Sequence, residues 1–301
     1  MGFRTRTAWG LGLSLVLALA SADARAASLR WKLKAGEALN YEMTEKTITT
    51  VSTGGAEVSK LTLTQTVDIT WAVKSVDPQG VADLTHTINR VRIKIDSPAL
   101  NLEFDSKDEK APVNPLKNLF KVLVGSPFPF KMAPTGELTD VKIPANITKI
   151  LKELGGAAGG STEIFSEEGL KMMITQAGLI VPKEDVAEGK TWEQKVEIPS
   201  PPTGSMTLAK TFRYNGESPQ GIAKIGVDAT FTMKPTPGED PPFTLKTQAV
   251  KGEMTFDNAN GKLAVSTLNE KLEQVGKIQD NEYSQLTDRT VGMKLVPEGT
   301  K

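Results

Sequence analysis

The sequence predicts a mainly β (α+β) protein: two related antiparallel β units forming a curved sheet or half-barrel, with three short helices inserted between them. Three observations carry this. Residues 61–73 alternate apolar and polar side chains with a period of two. Between residues 114 and 178 the apolar spacing becomes helical. The turn Asp77-Pro78-Gln79-Gly80 returns about half a chain later as Ser218-Pro219-Gln220-Gly221.

In the alternating stretch, Leu61, Leu63, Val67, Ile69, Trp71 and Val73 share one face, and Thr62, Thr64, Thr66, Asp68 and Thr70 share the other. A half-buried antiparallel strand with a wet threonine face has this pattern, because successive side chains point to opposite sides. Leu39, Tyr41 and Met43 alternate upstream, and Gly54-Gly55 can turn the chain between the two strands. Leu29, Trp31 and Leu33 predict a short opening strand that ends at Gly36. In the Pro-Gln-Gly turn, proline sets φ at about −65° and glycine accepts the positive φ that follows. The next strand places Ala82, Leu84, His86 and Ile88 on one face, but after Arg90 the apolar parity moves to Val91, Ile93 and Ile95. A one-residue slip would turn the wrong face inward, so a β-bulge is predicted near Asn89-Arg90.

The second half repeats the scheme. Phe212 and Tyr214 lead into the second Pro-Gln-Gly turn, and Ala223, Ile225, Val227, Ala229, Phe231 and Met233 alternate after it. Gly36 with Leu39 and Tyr41 corresponds to Gly189 with Trp192, and the stretch LEFDS (102–106) to MTFDN (254–258). Such ordered matches predict a duplicated β unit. Between the copies, Asn114-Pro115 opens a helix with Leu116, Leu119, Phe120 and Leu123. Pro144 precedes Ile147, Ile150, Leu151 and Leu154, and Ser166 caps a third helix with Leu170, Met173, Ile174 and Ala177. The stretch FPFKMAPTGELTDVKI between the first two helices predicts a hairpin turning at Pro134 to Gly136. Asn260-Gly261 predicts another, and Val291, Met293 and Leu295 a final strand.

The organisation is therefore a leader at 1–26, a first β unit at 27–112, a helical and hairpin insert at 113–188, and a second β unit at 189–301, the two halves being able to share one domain. The leader has a basic start at Arg4 and Arg6, an apolar run at 10–20, and Ala24-Arg25-Ala26 at a cleavage position. This is the tripartite form of a signal peptide, and its apolar run is too short to span a bilayer. The expectation is secretion or a periplasmic location after cleavage near Ala26, with no transmembrane anchor. Cysteine is absent, so neither a disulfide framework nor a lipid-modified cysteine is available. Formal charge is zero over the chain, which argues against a nucleic-acid partner.

Chemistry-bearing motifs are sparse. One histidine and no cysteine remove thiol catalysis and multi-histidine zinc. His86 lies mid-strand between Leu84 and Ile88, where a packed side chain is expected in place of a catalytic base. Asp257-Asn258-Ala259-Asn260-Gly261 lacks an oxygen ligand at Ala259 and a following glutamate, so it is a turn and not a calcium loop. Asp105, Asp108 and Glu109 form a solvated loop, and Trp31, Trp71 and Trp192 lie on apolar faces suited to core packing. No catalytic residue, metal site or cofactor is expected.

The stretches LRWKLKAGEALNYEM, FKMAPTGEL and VPKEDVAEGKTWEQ, in that order, resemble a family of secreted bacterial proteins, abundant in planctomycetes, defined only by a domain of unknown function. That resemblance implies no catalytic residues. The predicted architecture is also similar to periplasmic lipid-carrier half-barrels, which implies an apolar cavity between sheet and helices. The functional expectation is an exported, non-catalytic binding or carrier protein for a lipid or other apolar small molecule. Its lining candidates are Trp71, His86, Leu116, Phe120, Met172 and Met173. The alternatives are an envelope scaffold or adhesion protein with a dry core, and a carboxylate-dependent hydrolase.

Overall fold

The computed structural model describes residues 26–108, 115–150, 179–200, 204–235, 243–278 and 281–297, with Glu167, Lys171 and Ile174 between them. The leader, and the greater part of the third expected helix, lie outside the described residues. The chain forms β1 (Ala38–Thr53), β2 (Ala56–Val76), β3 (Ala82–Asp96), β4 (Asn101–Asp105), α1 (Pro115–Leu123), β5 (Pro127–Met132), β6 (Leu138–Thr139), β7 (Thr191–Ser200), β8 (Gly204–Glu217), β9 (Ile222–Lys234), β10 (Phe243–Asp257), β11 (Lys262–Ile278) and β12 (Asn281–Val296). Residues 145–150 are also helical, as are Glu167, Lys171 and Ile174.

All strands join one antiparallel sheet in the order β6-β5-β3-β2-β1-β12-β11-β10-β9-β8-β7, with β4 pairing beside β5 on β3. The two ends of this path do not pair among the described residues, so the sheet is not closed. The two halves of the sequence share a seam where β1 meets β12, from Asn40↔Val296 to Thr53↔Tyr283.

The alternating stretch forms the buried face of β2, with Val67, Ile69, Trp71 and Val73 all in the core. Asp68 pairs with Arg90 but Ile69 with Ile88, leaving Asn89 without an opposite residue. This is the bulge that the parity change requires, and Asn89 Nδ2 donates to Thr70 Oγ1 at 2.7 Å on the outer face. Both Pro-Gln-Gly turns make the same pair of backbone bonds. Gly80 N–H donates to Asp77 O and Asp77 N–H to Val81 O; Gly221 N–H donates to Ser218 O and Ser218 N–H to Ile222 O. The strand entries match too, since Gly36 bonds Val73 O as Gly189 bonds Tyr214 O.

Two details differ from the sequence reading. Phe104 of β4 pairs with Ile93, at the far half of β3. Met254 and Phe256 of β10 pair with Ile225 and Ala223, and the positions matching those, Leu84 and Ala82, pair with Phe130 and Met132 of β5. The register counterpart of MTFDN is therefore the FKM of β5, because a hairpin partner is set by the turn preceding it and LEFDS follows the wrong turn. The expected opening strand at 29–33 is likewise not a ladder strand. It is extended, and its backbone bonds two turns instead of a strand edge.

That segment bends the sheet. Trp31 N–H donates to Pro134 O in the β5–β6 turn, and the next residue, Lys32, donates to Gly261 O in the β10–β11 turn. Those hairpins are six strands apart along the sheet, a span of roughly 29 Å if flat. One dipeptide reaches both, so this end of the sheet must curl. A second strap runs from β6 to the β7 edge: Val181 N–H donates to Thr135 O, and Val186 pairs with Ala27. The core fills the curl, with Leu29, Trp31, Tyr41, Leu84, Met132, Leu179, Val181, Phe212, Ile225 and Phe256 each at most 4% exposed. At the opposite end the strands run on, β2 alone extending roughly 70 Å over its 21 residues.

The glycines of the closed end separate strain from clash. Gly36 has φ +83 and open space around an added Cβ, whereas at Gly136, φ +85, that Cβ would meet Leu179 O at 2.1 Å and Trp31 Nε1 at 2.7 Å. Urea unfolding should find Gly36→Ala less stable by about 1 kcal/mol and Gly136→Ala by about 3 kcal/mol or more. Equal costs would remove the strap contact from the account of the curl.

Candidate functional site

Two regions of the inner face differ in character. At the closed end, Trp71 is 5% exposed among Trp31, Tyr41 and Phe130, with ring centroids 6.1, 5.2 and 6.0 Å away. Its indole N–H donates to His86 Nδ1 at 3.0 Å, which fixes the neutral imidazole with its proton on Nε2. Phe128 packs edge-on against the His86 ring at 5.9 Å. Burial lowers the His86 pKa to about 4. No carboxylate is bonded to this imidazole among the described residues, and its geometry is that of a structural acceptor.

Of the other candidates, Phe120 of α1 stacks on Phe104 at 5.3 Å. The helix stops where Val124 N–H donates to Phe120 O and Gly125 N–H to Ile88 O on β3, so α1 is tied to the same strand as His86. The side chains of Leu116, Met172 and Met173 lie outside the described residues. Ile147, from the helical turn at 145–150, is 1% exposed and packs with Phe128, Val122, Leu123 and Ile143. The structure thus brings Trp71 and His86 together, and places Phe120 over the neighbouring stretch of sheet.

The sequence reading missed the second region. In the open half, the inward face of β7–β10 carries Val196, Met206, Leu208, Phe231, Met233, Phe243 and Leu245. They stand in register: Val196 opposes Leu208, which opposes Phe231, and Met206 opposes Met233. All seven are half-buried, none fully. Beneath this patch, where the dry core ends, charged side chains turn inward at one level. Lys210 on β8 lies beside Gln194, and Glu270 on β11 lies opposite Arg289 on β12.

Arg289 grips Glu45 of β1 through Nε at 2.9 Å and Nη2 at 3.2 Å. Its Nη1 stands 3.8 Å from Glu270 Oε2. Glu45 also accepts the Thr47 hydroxyl at 2.9 Å. Burial pushes the Glu270 pKa up, opposed by the Arg289 charge. Burial pushes the Lys210 pKa down. Gln194 Oε1 is buried without a hydrogen-bond partner. Among the described residues, no group of three or more histidine or acidic side chains is arranged to hold a metal ion, and no helix is long and apolar enough to cross a membrane.

Fold and site together define an open, curled antiparallel sheet with a packed end and a partly apolar inner face at the other. The chain belongs to a family of unknown function, DUF6263, whose model matches residues 79–263. No curated protein matches. Among solved structures it is similar to a lipovitellin chain, from a study of lipid–protein interactions in that protein, at 13% identity and a TM-score of 0.45. That match covers 89% of this chain and 26% of the other, so the chain spans about a quarter of that protein. It is also similar to DynF of the dynemicin biosynthesis pathway of Micromonospora chersina, at 9% identity over 99% of this chain and 96% of that one, with a TM-score of 0.23. An outer-membrane channel from Pseudomonas putida F1 matches at 9% identity over 87% and 96% of the two chains, also with a TM-score of 0.23. At these scores the likenesses do not establish a common fold.

The His86 environment sets a pH dependence. Its folded pKa, about 4, lies below the unfolded value of 6.5. Between those values the unfolded chain binds the extra proton, so stability falls as pH drops from 6.5 to 4, by on the order of 3 kcal/mol. Urea unfolding from pH 7 to 4 should reveal this slope, and His86→Phe should remove that share of it. An unchanged slope in the variant would show that the imidazole is not the titrating group.

Proposed function

We propose that this chain is an exported, non-catalytic carrier or binding protein that takes a lipid or other apolar small molecule along the inner face of the open half of its sheet. One observation carries the reading: Val196, Met206, Leu208, Phe231, Met233, Phe243 and Leu245 continue the core's inward parity beyond the point where the core stops, and remain half-buried. A contiguous apolar patch of this kind on a sheet face is where an apolar ligand gains most from leaving water. A packed interior alone would suit an envelope scaffold equally well; the open half is what favours a carrier. The matched turn bonds support reading the two halves as copies of one β unit that together curve as a half-barrel. The leader at 1–26 supports export, with the mature chain starting near Ala27.

Native mass spectrometry of the protein purified gently from its own host tests this reading. The expected result is a chain starting near Ala27 with a co-purifying apolar molecule. A bare polypeptide that also fails to take up the neutral fluorescent probe N-phenyl-1-naphthylamine would overturn the carrier reading. Phe231→Asp should weaken probe binding by at least about tenfold, since a carboxylate replaces apolar contact, with little change in the unfolding midpoint at this half-buried site.

A further inference from the structure

We propose that Glu270 is the head-group site of the inner face, and that the ligand is an amphiphile whose polar end is a hydrogen-bond-donating cation, a primary alkylammonium in its simplest form. The inference rests on the carrier reading and names the ligand class for the same face.

Three observations converge on it. The first is a charge count. One guanidinium, Arg289, is shared by two carboxylates, Glu45 and Glu270, so this ion group is one positive charge short, while the other inward cation, Lys210, stands in the same row three strands away on β8. The second is how unequally that guanidinium is shared. Glu45 takes two arginine bonds at 2.9 and 3.2 Å and the Thr47 hydroxyl at 2.9 Å. Glu270 is left 3.8 Å from Nη1, beyond the length of a charge-assisted hydrogen bond.

The third is the setting. The Glu270 side chain is only 13% exposed. On its own strand the inward positions either side of it are Leu268 and Leu272, and Val250 stands directly opposite on β10. A carboxylate whose only counter-charge here is a shared guanidinium at 3.8 Å, set between aliphatic side chains, is costly to keep, and an apolar residue there would pack without that cost. A ligand ammonium would supply both the missing positive charge and N–H donors.

The tail then has a defined course. Val250 pairs with Ala229 of β9, and Phe231 and Met233 follow on the same face toward the open end, beside Leu208 and Met206. An alkyl chain anchored at Glu270 would lie along them. An anionic head would add a third negative charge around Arg289, and a neutral one would leave Glu270 with only its shared guanidinium.

The test uses the mature chain loaded with N-phenyl-1-naphthylamine at pH 7, with displacement by dodecylamine, dodecanol and dodecanoate below their aggregation limits. Dodecylamine should displace the probe at concentrations at least about tenfold lower than the other two. Glu270→Gln should bring the amine to within about twofold of dodecanol, leaving dodecanol itself unchanged. Equal potency of the three in the native protein, or an amine preference that survives Glu270→Gln, overturns the head-group assignment while the carrier reading stands. Failure of the probe and all three amphiphiles to bind overturns both. The ranking in the native protein is decisive by itself if the variant does not fold.

Discussion

Two consecutive backbone N–H groups hold this architecture in its shape. Trp31 and Lys32 bond the Pro134 and Gly261 carbonyls, and so fasten hairpins that lie six strands apart in the sheet. Buried backbone donors need acceptors, and on a flat sheet no dipeptide could reach both. The curl follows from the geometry of that clasp together with the natural twist of long strands. Once curled, the face between the hairpins is an enclosed volume, and Trp31 fills it, against Trp71 on one side and Phe256 at 5.4 Å on the other. The second strap depends on the same tryptophan, since Leu179 O accepts the Trp31 indole N–H at 3.1 Å. Its neighbour Ile180 O accepts Trp192 at 2.8 Å, tying the strap to the β7 edge. Arg30 adds a bond to Pro182 O at 2.7 Å.

With all of this fastening at one end, stability is unevenly distributed. Buried apolar contacts and long-range hydrogen bonds concentrate where the straps lie, and among the described residues the open half is held mainly by the ladder and by side-chain pairs such as Lys246–Glu273 and Arg289–Glu45. Local opening free energies follow contact density, so the distal halves of β7–β12 form the softer part of the molecule. The long edge strand β7 would invite pairing with another chain, but it carries Glu193, Lys195 and Glu197 on its outward parity and Pro199 near its end. Charges and proline on an edge discourage sheet-to-sheet association. The open half is thus soft without being adhesive, which suits a surface that exchanges a small molecule with solvent.

Much of the local structure was legible because its causes are local. The Leu61 to Val73 alternation, both Pro-Gln-Gly turns, the β5–β6 hairpin and the Asn89 bulge each follow from a few adjacent residues, since side-chain parity and turn chemistry operate over two to four positions. The bulge is the sharpest case: a change of parity between Ile88 and Val91 leaves room for one unpaired residue and no other solution. What the sequence concealed is what the chain does at long range. Residues 29–33 alternate like a strand because Leu29 and Trp31 face the core, yet parity cannot say whether a segment's backbone bonds go to a strand edge or to two distant turns. The LEFDS and MTFDN correspondence failed for a related reason. Similar strands resemble one another in composition, and only register shows which of them occupies the matching place.

The inward charges were missed although the parity rule contained them. In β1, Leu39, Tyr41 and Met43 are followed on the same face by Glu45. In β12, Leu295, Met293 and Val291 are followed by Arg289. In β8, Tyr214 and Phe212 are followed by Lys210, and in β11, Leu268 by Glu270. Each strand read singly suggests only that its apolar face has run out. The register puts the four at nearly the same height: Lys210, Glu270 and Arg289 share one cross-strand row, with Glu45 in the row beside it. A desolvated charge is tolerated beside a counter-charge or near water, so four of them at one level mark where the dry core ends. Beyond that level the apolar parity resumes on β7–β10, in Leu208, Phe231 and their neighbours, which among the described residues join neither core cluster. Among the described residues nothing packs them as Trp71 and Phe212 are packed, and in the proposed carrier reading an apolar ligand takes that place.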